Sequence, residues 1–357
     1  MPELRYDILS GSFSIIATER AKRPSDFKSA QRESPRLPER DPHCPFCPGN
    51  ERMTPPEVYA LRKEGYRDGP GWVVRVVPNK FPALVPKETL SETELEAVDS
   101  GLGHLPENDD ASMYWEVPAV GAHEVVIESP RHDATLGTHD ISQMSTVLNT
   151  LRERSLVLYD QKDVKYVQVF RNWGERGGAS LVHPHFQIIG LPVFPNSVAG
   201  EMARHKEYEA KTGRCLLCDL IEREAEKDLR VVSKNEHFIV LCPFASRYSF
   251  ETMIVPRKHL PSFFDAGAED MRELANVIVR QFSKYEELFS SLSYNAILHS
   301  APPARGRKQA TYHWHIHIYP RLNVEAGLEL GTGVYINPTP PEFATQQFAG
   351  KGAERDA

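Results

Sequence analysis

The feature that most limits how this chain can fold is a constellation that occurs twice. Cys44-Pro45-Phe46-Cys47 is followed by His132 and by His183-Pro184-His185, and Cys215-Leu216-Leu217-Cys218 is followed by His259 and by His313-Trp314-His315-Ile316-His317. The middle histidine closely follows a proline each time, in Pro130-Arg131-His132 and in Pro256-Arg257-Lys258-His259. Recurrence of order, residue type and context marks a duplicated unit. A chain of 357 residues can build two such units with substantial cores, and the expected division is 1–190 and 191–357.

The pattern between the motifs is also repeated. Strands are expected at Val73–Val77, His123–Glu128, Tyr166–Arg171 and His183–Ile189, with a helix at Ile141–Leu158 capped by Asp140. The second half repeats that order with strands at His237–Leu241, Glu251–Val255, Asn295–His299 and His313–Tyr319. A helix there carries Met271, Leu274, Ile278, Phe282 and Tyr285 on one face. Strands dominate around each helix, so the class is α+β, with antiparallel sheets and flanking helices. Leu191–Gly213 reads as the link between halves, Ser25–Pro42 and Leu105–Gly121 as surface loops, and Gln346–Ala357 as a fraying end.

A C-x-x-C hairpin offers two thiolates to one tetrahedral ion, and two distant histidines can complete the shell. Cys44, Cys47, His132 and His183 form one such set, and Cys215, Cys218, His259 and His313 the other. A closed shell of this type is structural, and zinc in a reducing compartment suits it better than a disulfide framework. A reactive dithiol would call for a thioredoxin-like context, and a nucleic-acid zinc finger for histidines close downstream; neither is present. Cys242 reads as a small core residue.

On a strand, His183, His185 and Gln187 would share a face. Upstream, Asn172-Trp173-Gly174-Glu175-Arg176-Gly177-Gly178-Ala179-Ser180 is a Gly-rich loop whose backbone N–H groups could meet an anion. A histidine beside a phosphate cradle suggests phosphorus chemistry, against the plainer reading of two hydrogen-bonded core histidines. With 42 basic and 49 acidic residues the net charge is −7, which disfavours nucleic acid as the main partner. No stretch has the length of a membrane span and no targeting signal is evident, so a cytoplasmic location is expected.

These motifs resemble the galactose-1-phosphate uridylyltransferase family of the histidine-triad superfamily across essentially the whole chain. The matching segments are Arg20-Ala21-Lys22-Arg23-Pro24, Cys44-Pro45-Phe46-Cys47-Pro48-Gly49-Asn50, Arg75 through Leu84, and His183-Pro184-His185-Phe186-Gln187. The resemblance implies two histidine-triad-like halves in one subunit, a homodimer, and His185 as a nucleophile that forms a nucleotidyl-histidine intermediate. It implies that His183 belongs to the zinc shell and that Gln187 meets the transferred phosphoryl group. Asn172, Gly178 and Ser180 would surround the nucleotide phosphates, Arg20 and Arg23 would bind phosphate, and Asn79 would contact the nucleotide. Glu201, His299, His315 and His317 match the ligand types of a family iron site. That site would compete for space with the second zinc set if His313, His315 and His317 shared a face, and His299 taken singly reads as a hydrogen-bonded core residue.

The implied reaction moves UMP from UDP-glucose to galactose 1-phosphate. Thr332-Gly333 stands where some uridylyltransferases carry a Tyr-Glu pair, and Gly331 through Pro338 resembles the related plant-type ADP-glucose phosphorylases instead. The alternative is therefore adenylyl transfer from ADP-glucose to phosphate. A histidine-triad nucleotide hydrolase is a further reading; such enzymes tend to carry a third alternating histidine where this chain has Gln187. A metal-binding scaffold without catalysis has no need of the Gly-rich loop or His185.

Overall fold

The structure, a computed structural model, describes residues 1–22, 37–101, 116–305 and 311–350. Its first half contains β1 (Glu3–Tyr6), β2 (Phe13–Ile16), β3 (Tyr59–Arg62), β4 (Trp72–Pro78), α1 (Glu92–Gly101), β5 (Ala122–Ile127), α2 (Ile141–Tyr159), β6 (Tyr166–Trp173) and β7 (His185–Leu191). Then come α3 (Asn196–Thr212), α4 (Leu216–Lys227), β8 (Val231–Lys234), β9 (Phe238–Leu241), β10 (Thr252–Pro256) and α5 (Ala268–Leu288). The chain continues through β11 (Tyr294–His299), β12 (His315–Pro320), α6 (Gly327–Thr332), β13 (Val334–Asn337) and α7 (Pro341–Phe348).

Ten strands form one antiparallel sheet in the order β3-β4-β5-β7-β6-β11-β12-β10-β9-β8. Read outward from the β6–β11 junction, both sides have the same succession, so β7 corresponds to β12 and β5 to β10. The duplication is thus a mirrored strand order within a single sheet. α2 and α5, which join the corresponding strands, pack together on one face over Val74, Val126, Val169, Phe186, Ile188, Ala296, Leu298 and Ile318. Strand alternation sends His123, Gln187, His185, Asn172, His299, His315 and His317 to the opposite face.

α2 and α5 form where the periodicity predicts them. Asp140 caps α2 by accepting the Gln143 N–H, and Met144, Val147, Leu148 and Leu151 bury its inner face. Three expectations are corrected, and the link between the halves gains a helix. β7 begins at His185 and β12 at His315, so His183 and His313 precede their strands. Pro184 has no N–H for a ladder, and its carbonyl instead accepts the Glu128 N–H at 3.1 Å. The link between halves contains the 17-residue helix α3, with Val198, Glu201 and His205 buried. Cys215 and Cys218 lie at the start of α4 rather than in a hairpin, with Cys215 at the N-cap position. At the C-terminal end, Gln346–Phe348 belong to α7, while 351–357 fall outside the described residues.

A second sheet, β1-β2-β13, joins the ends of the described chain: β13 runs parallel to β2, pairing Val334 with Phe13 and Asn337 with Ile16. Ser14 donates to the Ala245 carbonyl, and Arg5 binds Glu342 at 2.9 Å, so β1 and β2 dock on the second half. Beneath the large sheet, Arg171 and Glu128 are fully buried and form an ion pair at 2.6 Å. Arg171 also bonds the Tyr294 hydroxyl, and His139 lies 3.2 Å from the other Glu128 oxygen. Burial opposes the charge on Glu128, but Arg171 and His139 hold its carboxyl down to about 2. Removing one partner strands the other charge, so Glu128→Ala is expected to cost about 3–5 kcal/mol in urea unfolding. Asp140→Ala, which removes only the cap of α2, is expected to cost about 1 kcal/mol.

Candidate active site and metal centres

The first metal candidate brings together Cys44, Cys47, His132 and His183, all buried. His132 Nδ1 is 3.5 Å and His183 Nδ1 3.6 Å from Cys47 Sγ, and the two imidazole nitrogens are 3.3 Å apart. A tetrahedral ion with two sulfur and two nitrogen donors sets neighbouring donor atoms about 3.3–3.8 Å apart, so the residues fit one cation. His183 Nε2 faces the Ser129 carbonyl at 2.8 Å, which places its proton there and leaves Nδ1 as the donor. Burial pushes His183 down to about 4 and the Cys44 thiol up to about 11. A bound cation would offset the second cost by stabilising the thiolate.

The second set repeats this geometry. His313 Nδ1 lies 3.8 Å from Cys215 Sγ and 3.4 Å from Cys218 Sγ, and His259 Nδ1 is 3.7 Å from Cys218 Sγ. His299, His315 and His317 form a separate group. His313 leaves the chain before β12 begins, so the two groups use different atoms and the expected competition does not arise. His299 is hydrogen-bonded, with its Nδ1 3.0 Å from Glu201 Oε2, and its ring stacks on His315 at 4.8 Å. Burial opposes the Glu201 charge, yet His299 and His315 hold its carboxyl down to about 2. Glu201 Oε1, His315 Nε2 and His317 Nδ1 are buried and make no hydrogen bond among the described residues. Carboxylate oxygen with imidazole nitrogens, all buried, is a donor set that fits a further cation.

The paired H-x-H motifs orient their second histidines by the same device. His185 Nδ1 lies 2.7 Å from the His183 carbonyl, and His315 Nδ1 lies 3.1 Å from the His313 carbonyl. Each carbonyl accepts, so each ring keeps its lone pair on Nε2. The copies then diverge. His315 Nε2 is 3.4 Å from Glu201 Oε1. His185 instead shares its sheet face with Gln187 and His123, and Phe46 packs edge-on against its ring at 5.4 Å. Burial holds His185 below its ordinary range, with the His183 carbonyl opposing that shift.

The surrounding candidates are placed unequally. Asn172 is the penultimate residue of β6, and its Oδ1 accepts from Asn295 on β11 at 2.8 Å. Asn79 and Gln187 both meet His123, at 3.1 and 2.8 Å. Gly178 adopts a left-handed conformation after the short turn Glu175–Gly177, and Ser180 is exposed. Within the loop the N–H groups of Gly177, Gly178 and Ala179 are taken by carbonyls of Gly174 and Glu175. Gly174 itself is required, because a Cβ there would fall 2.3 Å from Ser293 Oγ. Arg20 sits half-buried in the turn Thr18–Lys22, and Arg23 lies outside the described residues.

His123, Asn295, Glu128, Arg171 and Glu251 were not singled out in the sequence; Glu251 Oε1 is 3.3 Å from His317 Nδ1. His205 was also missed. It is fully buried one turn beyond Glu201, with its ring 4.9 Å from Tyr312. Each stands singly in an apolar or helical pattern, and no spacing marks it.

Residues 1–195 match the N-terminal domain of galactose-1-phosphate uridyl transferase, and residues 201–329 match its C-terminal domain. The chain belongs to the galactose-1-phosphate uridyl transferase family. Within that family it is 34% identical over 346 residues to an ADP-glucose phosphorylase of Arabidopsis thaliana, covering 96% of this chain and 90% of the relative. It is 29% identical over 322 residues to a galactose-1-phosphate uridylyltransferase of Haemophilus influenzae, covering 90% and 84%. The crystal structure of an Arabidopsis thaliana ADP-glucose phosphorylase with bound ADP-glucose superposes with a TM-score of 0.77 at 30% identity, covering 98% of both chains. A uridylyltransferase structure gives 0.70 at 27% identity, again covering 98% of both.

If the first Cys/His set holds a cation, Cys47→Ala and His183→Ala should each lower metal content by one ion per chain and lower the melting temperature together. Elemental analysis beside thermal unfolding checks this. Metal content unchanged in both variants would refute the assignment.

Proposed function

We propose that the protein is a nucleotidylyltransferase that works by double displacement on His185. UDP-glucose gives UMP to Nε2 and glucose 1-phosphate departs; galactose 1-phosphate then takes the UMP and leaves as UDP-galactose. A P–O bond is broken as the N–P bond forms, and the second step reverses the exchange at little net cost. The carrying observation is the bond between His185 Nδ1 and the His183 carbonyl, which leaves Nε2 as the nucleophile and supports the positive charge of the nucleotidylated ring. Gln187 and Asn172 supply amide donors for the phosphoryl oxygens. Arg20, Arg23, Ser180 and Gly178 belong to the wider phosphate and nucleotide surroundings, and Asn79 to the nucleotide.

Zinc in the two Cys2His2 sets suits their donors, and its role is to clamp the residues that precede β7 and β12. Iron suits the Glu201, His299, His315 and His317 set. The reading includes duplicated units at 1–190 and 191–357 and a homodimer. It also includes a cytoplasmic location, which the five unpaired cysteines favour. Among the described residues no helix is long and apolar enough to cross a membrane.

A second reading, adenylyl transfer from ADP-glucose to inorganic phosphate, is favoured by a specific observation. The segment resembling the phosphorylases forms the end of α6, the left-handed Gly333 and β13, and the 34% identical relative carries that activity in its name. Gln187 in the third position argues for transfer over hydrolysis in either case.

Intact-mass measurement after separate incubation with UDP-glucose and ADP-glucose identifies the nucleotide by the adduct. A higher kcat/KM for ADP-glucose with phosphate as acceptor would select the second reading. His185→Ala should retain fold and metal yet lose transfer by several orders of magnitude, on the order of 10⁴ or more. An adduct that persists in that variant, or that maps to His315, would refute the nucleophile. Because burial lowers the pKa of His185, the neutral ring persists to lower pH than an ordinary histidine. The acid limb of adduct formation should therefore lie below about pH 6.5.

A further inference from the structure

His123 joins two residues of the nucleotide surroundings that lie far apart in sequence. On β5 it faces Ile189 of β7, while Val125 faces Gln187 and Ile127 faces His185, so His123, Gln187 and His185 occupy one side of the sheet. The ring proton can be assigned from its neighbours. His123 Nδ1 is 3.2 Å from the Ala83 N–H, a group that can only donate, so Nδ1 accepts and the proton resides on Nε2. That Nε2 is 2.8 Å from Gln187 Oε1 and donates to it, so the Asn79 NH2, 3.1 Å from the same nitrogen, is a close neighbour that makes no hydrogen bond to it. The loop carrying Ala83 is itself held, because Asn79 N–H donates to the His123 carbonyl at 2.8 Å and Asn79 Oδ1 accepts the Phe81 N–H at 2.9 Å.

A glutamine amide has two faces of opposite polarity, and free rotation would present either one. With its oxygen engaged by His123, Gln187 keeps its NH2 group for the ligand. We propose that His123 is a positioning residue for nucleotidyl transfer, fixing the Gln187 amide so that its NH2 rather than its oxygen meets the phosphoryl group at His185. The proposal rests on His185 as nucleophile. An amide oxygen turned toward the phosphoryl oxygens would oppose the charge that develops there, whereas the NH2 donor stabilises it.

The test is a double-mutant cycle on single-turnover adduct formation, using whichever of UDP-glucose and ADP-glucose loads the wild-type protein. His123→Phe and Gln187→Met should each slow the step by ~10²-fold, the scale of a lost oxyanion donor. The double variant should be no slower than Gln187→Met alone, since His123 acts through that amide. Substrate KM should change far less than the rate. His123→Gln, which can both accept and donate, should restore most of the rate; His123→Glu, an acceptor only, should turn the amide round and remain slow.

Additive losses in the cycle, a wild-type rate in His123→Phe, or equal rates in the Gln and Glu variants would overturn the proposal. The Gln and Glu pair decides it even if the Phe variant fails to fold. A wild-type protein that acquires nucleotide elsewhere than His185 removes the nucleophile reading and this proposal together. Loading of His185 with an unaffected His123→Phe rate removes this proposal alone.

Discussion

The carbonyl of His183 is the point on which the arrangement around His185 depends. It accepts from Nδ1 of His185, and its own position is set by a ring anchored at both nitrogens, with Nδ1 among the cysteines and Nε2 on the Ser129 carbonyl. The Glu128 N–H adds a tie to the Pro184 carbonyl between them. On the proposed reading, a side chain that does no bond-making orients one that does, through a single peptide unit. That reading gives a closed donor set a reason to stand beside the proposed nucleophile: an ion would fix the backbone, and the backbone fixes the ring.

Duplication supplied that device twice, and one added carboxylate separates the copies. In the second half the corresponding Nε2 faces Glu201, which arrives on α3 from between the halves. The carboxylate and the neighbouring imidazoles make a compact buried donor group where the first half retains a surface with amides. Because the two copies lie in one continuous sheet, joined along β6 and β11, the amide of Asn295 in the second copy reaches Asn172 and the Gly177 carbonyl in the first. The divergent copy thus braces the loop beside its partner.

Much of this was legible in the sequence because it depends on local period and residue type. The two C-x-x-C pairs, their histidines, the long helices and most strands follow from spacing alone. His183 and His313 were placed on strands because strict alternation continues through them; proline at 184 and the pull of each ring toward its cysteines make the strands begin later than the pattern suggests. In the Gly-rich loop, read as a place where N–H groups could meet an anion, those of Gly177, Gly178 and Ala179 close on carbonyls of the same loop. Glu128, Arg171 and His123 could not be singled out because their partners are 43 to 64 residues away, and only strand pairing brings them together.

The small sheet carries a consequence for the order of events during synthesis. β2 has β13 as its parallel neighbour, and Arg5 meets Glu342 across 337 residues of sequence. On a ribosome β2 can pair with β1 at once, but its other edge must wait until nearly the whole described chain has emerged. Contacts of such separation are slow to form and leave strand edges exposed meanwhile. Most ladders of the large sheet join strands consecutive in the chain, whereas the β2–β13 seam cannot form before the last strand is made.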